Sequence, residues 1–314
     1  MELINRLSRI PYQLRSNENY EASVADIICI RGWCPHQSTR AKANWTLSLR
    51  PYGLVETLAM DSRLEYLNII TQQYPMKKNL IIVLTIISTQ VFAQQKNLQN
   101  LVQFVKPIIG TQRMGHTYPG ATAPFGMVQL SPDTDTLSYE LDGKYNPDIY
   151  KYCAGYQYDD KTIVGFSHTH FSGTGHSDLG DFLIMPTTGT LQLNPGTADR
   201  PLSGFRSAFS HQNETAEAGY YKVKLDDHNI LAELTATNRV GFHQYTFPKS
   251  DEAHIILDLM SGIYNYPDKN VWTYVRIEND TLITGYRRTN GWARTRTEYF
   301  AMTFSKPFYQ YGNF

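Results

Sequence analysis

The feature that most constrains this chain is a series of short apolar–polar alternations, each closed by a turn signal. "YYKVKL" (220–225) alternates, Asp226-Asp227-His228-Asn229 supplies a turn, and "ILAELTAT" (230–237) resumes the alternation. That period and turn chemistry predict a β-hairpin. "GFHQYTFP" (241–248) and "AHIILDLM" (253–260) read as further strands, and "TYVRIE" (273–278), Asn279-Asp280 and "TLITGYRR" (281–288) as a second hairpin. "EYFAMTFSKPF" (298–308) makes another strand. Only residues 97 to 105 could form a helical turn or two. Strands at this spacing, with almost no amphipathic helix signal, predict an all-β fold, a large antiparallel two-sheet sandwich.

An N-terminal region interrupts this order. Residues 76 to 93, "MKKNLIIVLTIISTQVFA", start at a methionine, continue through Lys77 and Lys78 into an apolar run, and end in Val91-Phe92-Ala93. This is the pattern of a secretory signal peptide, cleaved near Ala93. Its apolar stretch is too short for a retained membrane span. A signal peptide cannot work from the middle of a chain, so residues 1 to 75 read as a spurious, irregular or disordered upstream extension; the alternative is a genuine cytoplasmic extension. Cys29, Cys34 and His36 within it lack the second ligand pair of a metal knuckle. Cleavage leaves Cys153 alone, with no internal disulfide, and a periplasmic or secreted location is expected. The formal net charge of zero gives no electrostatic reason to bind nucleic acid or anionic membrane. The 22 Tyr and 14 Phe favour strands and offer faces on which sugars can stack.

Three stretches could carry chemistry. In "GFSHTHFSGTGHSDLGD" (165–181), His168 and His170 stand at i, i+2, so a strand would put them on one face. With Asp178 or Asp181 they could ligate zinc or iron, or they could belong to a buried hydrogen-bonded network. His176 follows a glycine-rich turn and is expected to be exposed. "SGTG" (172–175) lacks the Lys-Ser/Thr and following helix of a phosphate loop, so it reads as a turn that a ligand or another domain approaches closely. Asp178 and Asp181, three apart in a turn, suit loop hydrogen bonding better than flanking a glycosidic oxygen. Ser167, Ser172 and Ser177 have no nucleophile-elbow context. "GTQRMGHTYPGATAPFGMVQLSPDT" (110–134) holds enough Gly and Pro around His116 to fix one loop path, the kind of ordered loop that carries binding residues. In "GYRRTNGWA" (285–293), Arg287 and Arg288 alternate faces and Trp292 follows an Asn-Gly turn.

The segments "HTYPGATAPFGMVQLSPD", "AGYQYDDKTIVGFSHTHFSGTGHSDLGDFLIMP", "GYYKVKLDDHNILAELTATNRVGFHQYTFP" and "GYRRTNGWA" resemble, in order, the N-terminal domain of glycoside hydrolase family 92, the exo-acting α-mannosidases. The resemblance runs over residues 99 to 314. It implies a β-sandwich that is followed, in intact members, by a C-terminal (α/α)6 toroid carrying the general-acid glutamate and general-base aspartates. It also implies calcium that helps bind and distort the terminal mannose, and hydrolysis with inversion. The expected substrates are α-linked mannose oligosaccharides, of N-glycans or mannans, α-1,2 foremost. On this resemblance the chain holds no catalytic residue and no metal ligand, and is catalytically silent alone. Its loops would wall the sugar pocket: His116, Gly120, Phe125 and Gly126 from the first loop, and His168, His170, Ser172, Gly173, Thr174, Gly175 and Asp178 from the second. Trp292 would add an aromatic face. His176 stands where many relatives are expected to have cysteine.

Two rival readings remain. One is a stand-alone carbohydrate-binding module using Tyr145, Tyr150, Tyr152, Tyr156 and Tyr158. The other is a self-contained metal-dependent hydrolase built on the His-Thr-His segment.

Overall fold

The structure is a computed structural model that describes residues 27–31 and 101–314, apart from 135, 136, 177, 201 and 314. The chain divides into two units, residues 1–35 with 103–314, and residues 36–102. The signal-peptide segment 76–93 lies outside the described residues, as does most of 1–75.

The fold is all-β. A seven-stranded sheet runs in the order Gln310–Asn313, Ile27–Arg31, Ala253–Asp258, Leu183–Thr188, Gly165–Ser167, Gln129–Asp133, Ala121–Thr122. Four antiparallel strands, Glu214–Glu217, Tyr220–Leu225, Ile230–Ala236 and Gly241–Thr246, form a second sheet in chain order. Asn270–Asn279, Leu282–Thr289 and Arg296–Thr303 form a third. One strand comes from the upstream segment: Ile27–Arg31 pairs parallel with both Ala253–Asp258 and Gln310–Asn313. Among the described residues helix is confined to short 3₁₀ turns, including Leu101–Phe104 and Pro147–Tyr152.

Sequence pattern explains the layers. In the predicted hairpin Tyr221, Val223 and Leu225 face inward from one strand, and Ile230, Ala232 and Leu234 from the other. Leu225 pairs with Ile230, so Asp226 to Asn229 form the turn, and Asn229 takes a φ of 51° there. Ala253–Asp258 is buried at every position, as a nearly continuous apolar run requires of a central strand. These side chains share one core with Leu130, Phe166, Leu183 and Phe205. The third sheet turns Val275 and Ile283 into the same core, with Phe300 and Met302 packed against it. Phe182 meets Phe300 at a ring separation of 4.8 Å.

Candidate functional site: an interlocked pair of loops beside an aromatic turn

Residues 165–181 form a hairpin-like excursion. The regular strand ends at Ser167, but His168 N–H still donates to Asp181 O and Gly180 N–H to Thr169 O. The segment 171–178 is the tip. Leaving the strand at Ser167 separates the two histidines that a continued strand would have set side by side. His168 Nδ1 lies 2.7 Å from Phe182 O and its Nε2 3.0 Å from His243 Nε2. His170 Nδ1 lies 2.7 Å from Gln129 O, while its Nε2 is 2.9 Å from Asp133 Oδ1 and 3.0 Å from Ser167 Oγ. Every ring nitrogen of the pair therefore already has a protein partner. Among the described residues no group of three or more His, Cys, Asp or Glu is placed to hold a metal ion.

The two glycine-rich loops interlock. Gly173 N–H donates to His116 O, and Gln129 N–H to His168 O. The Gln129 side chain donates to Gly126 O and accepts from His170 N–H. The Tyr118 ring lies 5.3 Å from that of His170. His116 is buried at a φ of 50°, its ring edge-on to Tyr150 at 4.9 Å. Burial lowers its pKa, a backbone bond to Tyr150 partly opposing the shift, and its Nε2 has no hydrogen-bond partner among the described residues. A positive φ in a bulky residue is strained, and here it turns the ring against Tyr150. Gly175 crosses the same tyrosine so closely that a Cβ would overlap its hydroxyl. Gly120 lies against the Leu130–Ser131 backbone for the same reason. Phe125 has a φ of 58° and stands fully in solvent; Ser172, Gly173 and Thr174 are exposed as well.

Asp178 joins the second loop to the third stretch. Its carboxylate accepts from Trp292 N–H at 3.0 Å and Ala293 N–H at 3.1 Å, so it caps the Asn-Gly turn rather than reaching into solvent. Its own N–H donates to His176 Nδ1 at 3.0 Å. His176, expected to be exposed, is half-buried and stacks on Trp292 at 4.2 Å and 11°.

Beneath these loops lies a buried charge cluster that sequence reasoning missed, apart from Asp181 and the alternation of buried Arg287 with exposed Arg288. Asp181 pairs with Arg296 at 2.7 Å and Arg287 at 3.4 Å, and accepts from Thr169 Oγ1 at 2.7 Å. The two arginines and the hydroxyl hold its carboxyl below the usual range despite burial. Glu298 is pushed the other way, to about 8, by burial and by the neighbouring Asp181. Lys269 is lowered to about 7 by burial and by Arg287. His243 and Tyr245 were also missed, although their i, i+2 spacing in "GFHQYTF" was a usable signal.

The five tyrosines of the binding-module reading do not share a platform. Tyr152 and Tyr156 are core residues, Tyr158 stacks on His211 at 3.9 Å, and Tyr145 packs on Tyr139. A groove of about 380 Å³ lined by Leu137, Ser138, Tyr139, Glu140, Asn265 and Pro267 contains none of the expected site residues. The interlocked loops are therefore the candidate site on their own geometry.

The two interlocked glycine-rich loops and the Trp292 turn are thus joined on an all-β domain. The comparisons make the class specific. A profile of the glycosyl hydrolase family 92 N-terminal domain matches residues 104–314, and the chain belongs to that family. It is similar to the family GH92 α-mannosidase of Bacteroides thetaiotaomicron solved with mannoimidazole, with 41% identity, a TM-score of 0.58, and 67% of this chain and 26% of that one covered. The GH92-family glycosyl hydrolase ccman5 matches with 26% identity and a TM-score of 0.50, over 64% of this chain and 26% of its own. An uncharacterized secreted glycosidase of Arthroderma benhamiae is 27% identical over 176 residues, 54% of this chain and 20% of that protein. The chain thus spans about a quarter of the length of the solved relatives and a fifth of the curated one. Among the described residues no helix is long and apolar enough to cross a membrane.

Proposed function

We propose that this chain is the β-sandwich half of a secreted, inverting exo-α-mannosidase that acts on α-mannosides of N-glycans or mannans, α-1,2 foremost. The observation that carries the reading is the interlocking of the two glycine-rich loops, Gly173 N–H on His116 O and Gln129 between Gly126 and His170. It joins the loop that carries Phe125 to the loop that carries Thr174, and Asp178 joins the second loop to the Trp292 turn, which supports reading them together as a rim. Asp133, Asp178 and Asp181 are committed to His170, to the Trp292 turn and to two arginines. Each of them has a structural partner within the fold, which supports placing the acid and base elsewhere.

In this reading the rim binds and orients a terminal mannose, Phe125 and Gly126 lying against the sugar and Ser172 and Thr174 offering hydroxyls. A carboxylic acid and a carboxylate about 6.5–9.5 Å apart, the spacing inversion needs for its water, belong to a second, helical domain. Calcium in the intact enzyme would help bind and distort the sugar. Asp133, Asp178 and Asp181 already accept from His170, the Trp292 turn and two arginines, and among the described residues they do not converge with other ligating groups, so no calcium ligand is assigned to this chain. The signal peptide at 76–93 would export it to the periplasm or beyond.

The test is hydrolysis of α-mannobiose, with calcium, by the chain from Gln94 onward, alone and mixed with a separately expressed family C-terminal domain. Turnover only in the mixture is expected. Turnover by the chain alone would overturn the assignment of the catalytic carboxylates to another domain.

A further inference from the structure

Trp292 combines high exposure with tight restraint. The residue is 80% exposed, and one indole face is covered by the His176 ring at 4.2 Å and 11°. The exposure therefore belongs mainly to the opposite face and the ring edge. The turn that carries it is pinned on several sides. Asp178 accepts from the N–H groups of Trp292 and Ala293, Asn290 N–H donates to Lys269 O at 2.8 Å, and Tyr266 Oη donates to Asn290 O at 2.8 Å. Gly291 allows Asp178 to come this close, since a Cβ there would overlap the carboxylate.

We propose that Trp292 is a stacking platform for a pyranose ring of a mannose-containing oligosaccharide, with His176 as its backing and Asp178 as the positioning residue that fixes its turn. The proposal rests on the mannosidase reading and adds a residue-level role to it. An open indole face carries the negative side of the aromatic quadrupole, which attracts the polarised C–H groups on one face of a pyranose. A restrained ring loses little freedom when a ligand arrives, so most of the contact free energy is retained as affinity. The surroundings select a sugar over an apolar partner. The adjoining loop tip presents Ser172 and Thr174, and His176 supplies a donor at the platform's edge. Its Nδ1 accepts from Asp178 N–H, which places the proton of the neutral ring on Nε2. Among the described residues that Nε2 has no hydrogen-bond partner, so it can donate to a sugar hydroxyl. A cysteine at position 176 could neither stack on the indole nor make that bond.

The test is affinity electrophoresis of the full chain through gels containing α-mannan, checked by titrating indole fluorescence with α-mannobiose. Trp292→Ala should weaken retardation about tenfold, the size of one aromatic stacking contact of about 1.4 kcal/mol. Trp292→Phe should stay within about threefold of the parent and His176→Ala should fall between. Melting temperatures of the same variants are recorded alongside, so that lost contact with the glycan is told apart from a loosened turn. Equal retardation of Trp292→Ala and the parent, with Phe125→Ala impaired, overturns the platform and leaves the mannosidase reading standing. No retardation of the parent also overturns the platform, while the mixing assay above judges the wider reading independently.

Discussion

His243 Nε2 and His168 Nε2 lie 3.0 Å apart, and this contact fixes the protons of a four-group chain. His168 Nδ1 faces the carbonyl of Phe182, which can only accept, so that nitrogen carries the proton and Nε2 carries the lone pair. His243 must then donate from Nε2, which leaves its Nδ1 to accept from Tyr245 Oη at 2.6 Å. The chain runs Tyr245 to His243 to His168 to Phe182, with both rings neutral. It ties the Gly241–Thr246 strand to the base of the 165–181 excursion.

Keeping both rings neutral makes stability depend on pH. Burial lowers His168 to about 4, with His170 lowering it further and Asp133 and Asp181 opposing. Burial and His168 hold His243 well below its ordinary value. The unfolded chain binds the extra protons, so this contribution is complete above about pH 6.5 and is lost as pH falls toward 4. His168 alone accounts for roughly 3 kcal/mol over that window. Burial also lowers His254 to about 4, which adds to the same slope. His243→Gln, which can donate and accept but not titrate, should lower stability at pH 7.5 by about 1 kcal/mol and flatten the decline between pH 6.5 and 4. Urea midpoints at several pH values measure it; an unchanged slope would remove the pair from the account.

Glu298 titrates with the opposite sign. Its half-buried carboxyl is raised to about 8 by desolvation and by the neighbouring Asp181, since two carboxylates side by side repel unless one is protonated. The folded state therefore binds the extra proton, and stability present below about pH 4.5 is lost as pH rises through 8. Glu298→Gln imitates the protonated acid and retains an acceptor for Arg296, which bonds Oε1 at 3.2 Å. The variant should melt within about 1 °C of the parent at pH 5 and above it at pH 8.5. Thermal melts at the two pH values read the difference; a variant less stable at both would show that Glu298 is ionised in the fold.

Gly291→Ala tests the anchoring of the aromatic turn. The added methyl group would overlap Asp178 Oδ1, and a forced overlap of this kind costs about 1–3 kcal/mol. The turn has to lift away from Asp178, freeing Trp292 from His176. The expected readout is a lower melting temperature with a loss of indole fluorescence anisotropy. Unchanged anisotropy would mean that the stack holds the tryptophan without the carboxylate.

The sandwich was legible because each strand buries one face. Tyr221, Val223 and Leu225 alternate with half-buried Tyr220, Lys222 and Lys224, and a register slip of one would reverse them all. Boundaries were less legible. The strand read as beginning at Thr273 starts at Asn270, where pairing with Thr289 extends the ladder. The site was legible as loops but not as contacts. Nothing local links Asp181 to Arg296, 115 residues away, or Asp178 to the Trp292 turn, and only the packing of the third sheet brings them together. Alternation misled at His168 and His170, because the backbone leaves the strand at Ser167 and each ring turns to a different partner.

Gly155 supplies the final prediction. It sits at a φ of +80°, its N–H donates to Tyr152 O at 2.7 Å, and its carbonyl accepts from Thr134 N–H at 2.8 Å. A Cβ there would overlap Asp133 Oδ1 and lie 3.2 Å from His170 Cδ2. Gly155→Ala therefore carries a left-handed backbone cost of about 1–2 kcal/mol and an overlap cost of about 1–3 kcal/mol. Gly143 isolates the first cost, since it has a φ of +72° and nothing within 4 Å of the point where a methyl group would lie. Gly143→Ala should lose about 1–2 kcal/mol, and Gly155→Ala about 2–5 kcal/mol in all. The excess measures how firmly Asp133 is held against His170 beneath the second loop. Chemical denaturation of the two variants gives it directly. Equal losses would mean that Asp133 moves aside freely, and that the His170–Asp133 contact does not anchor the loop.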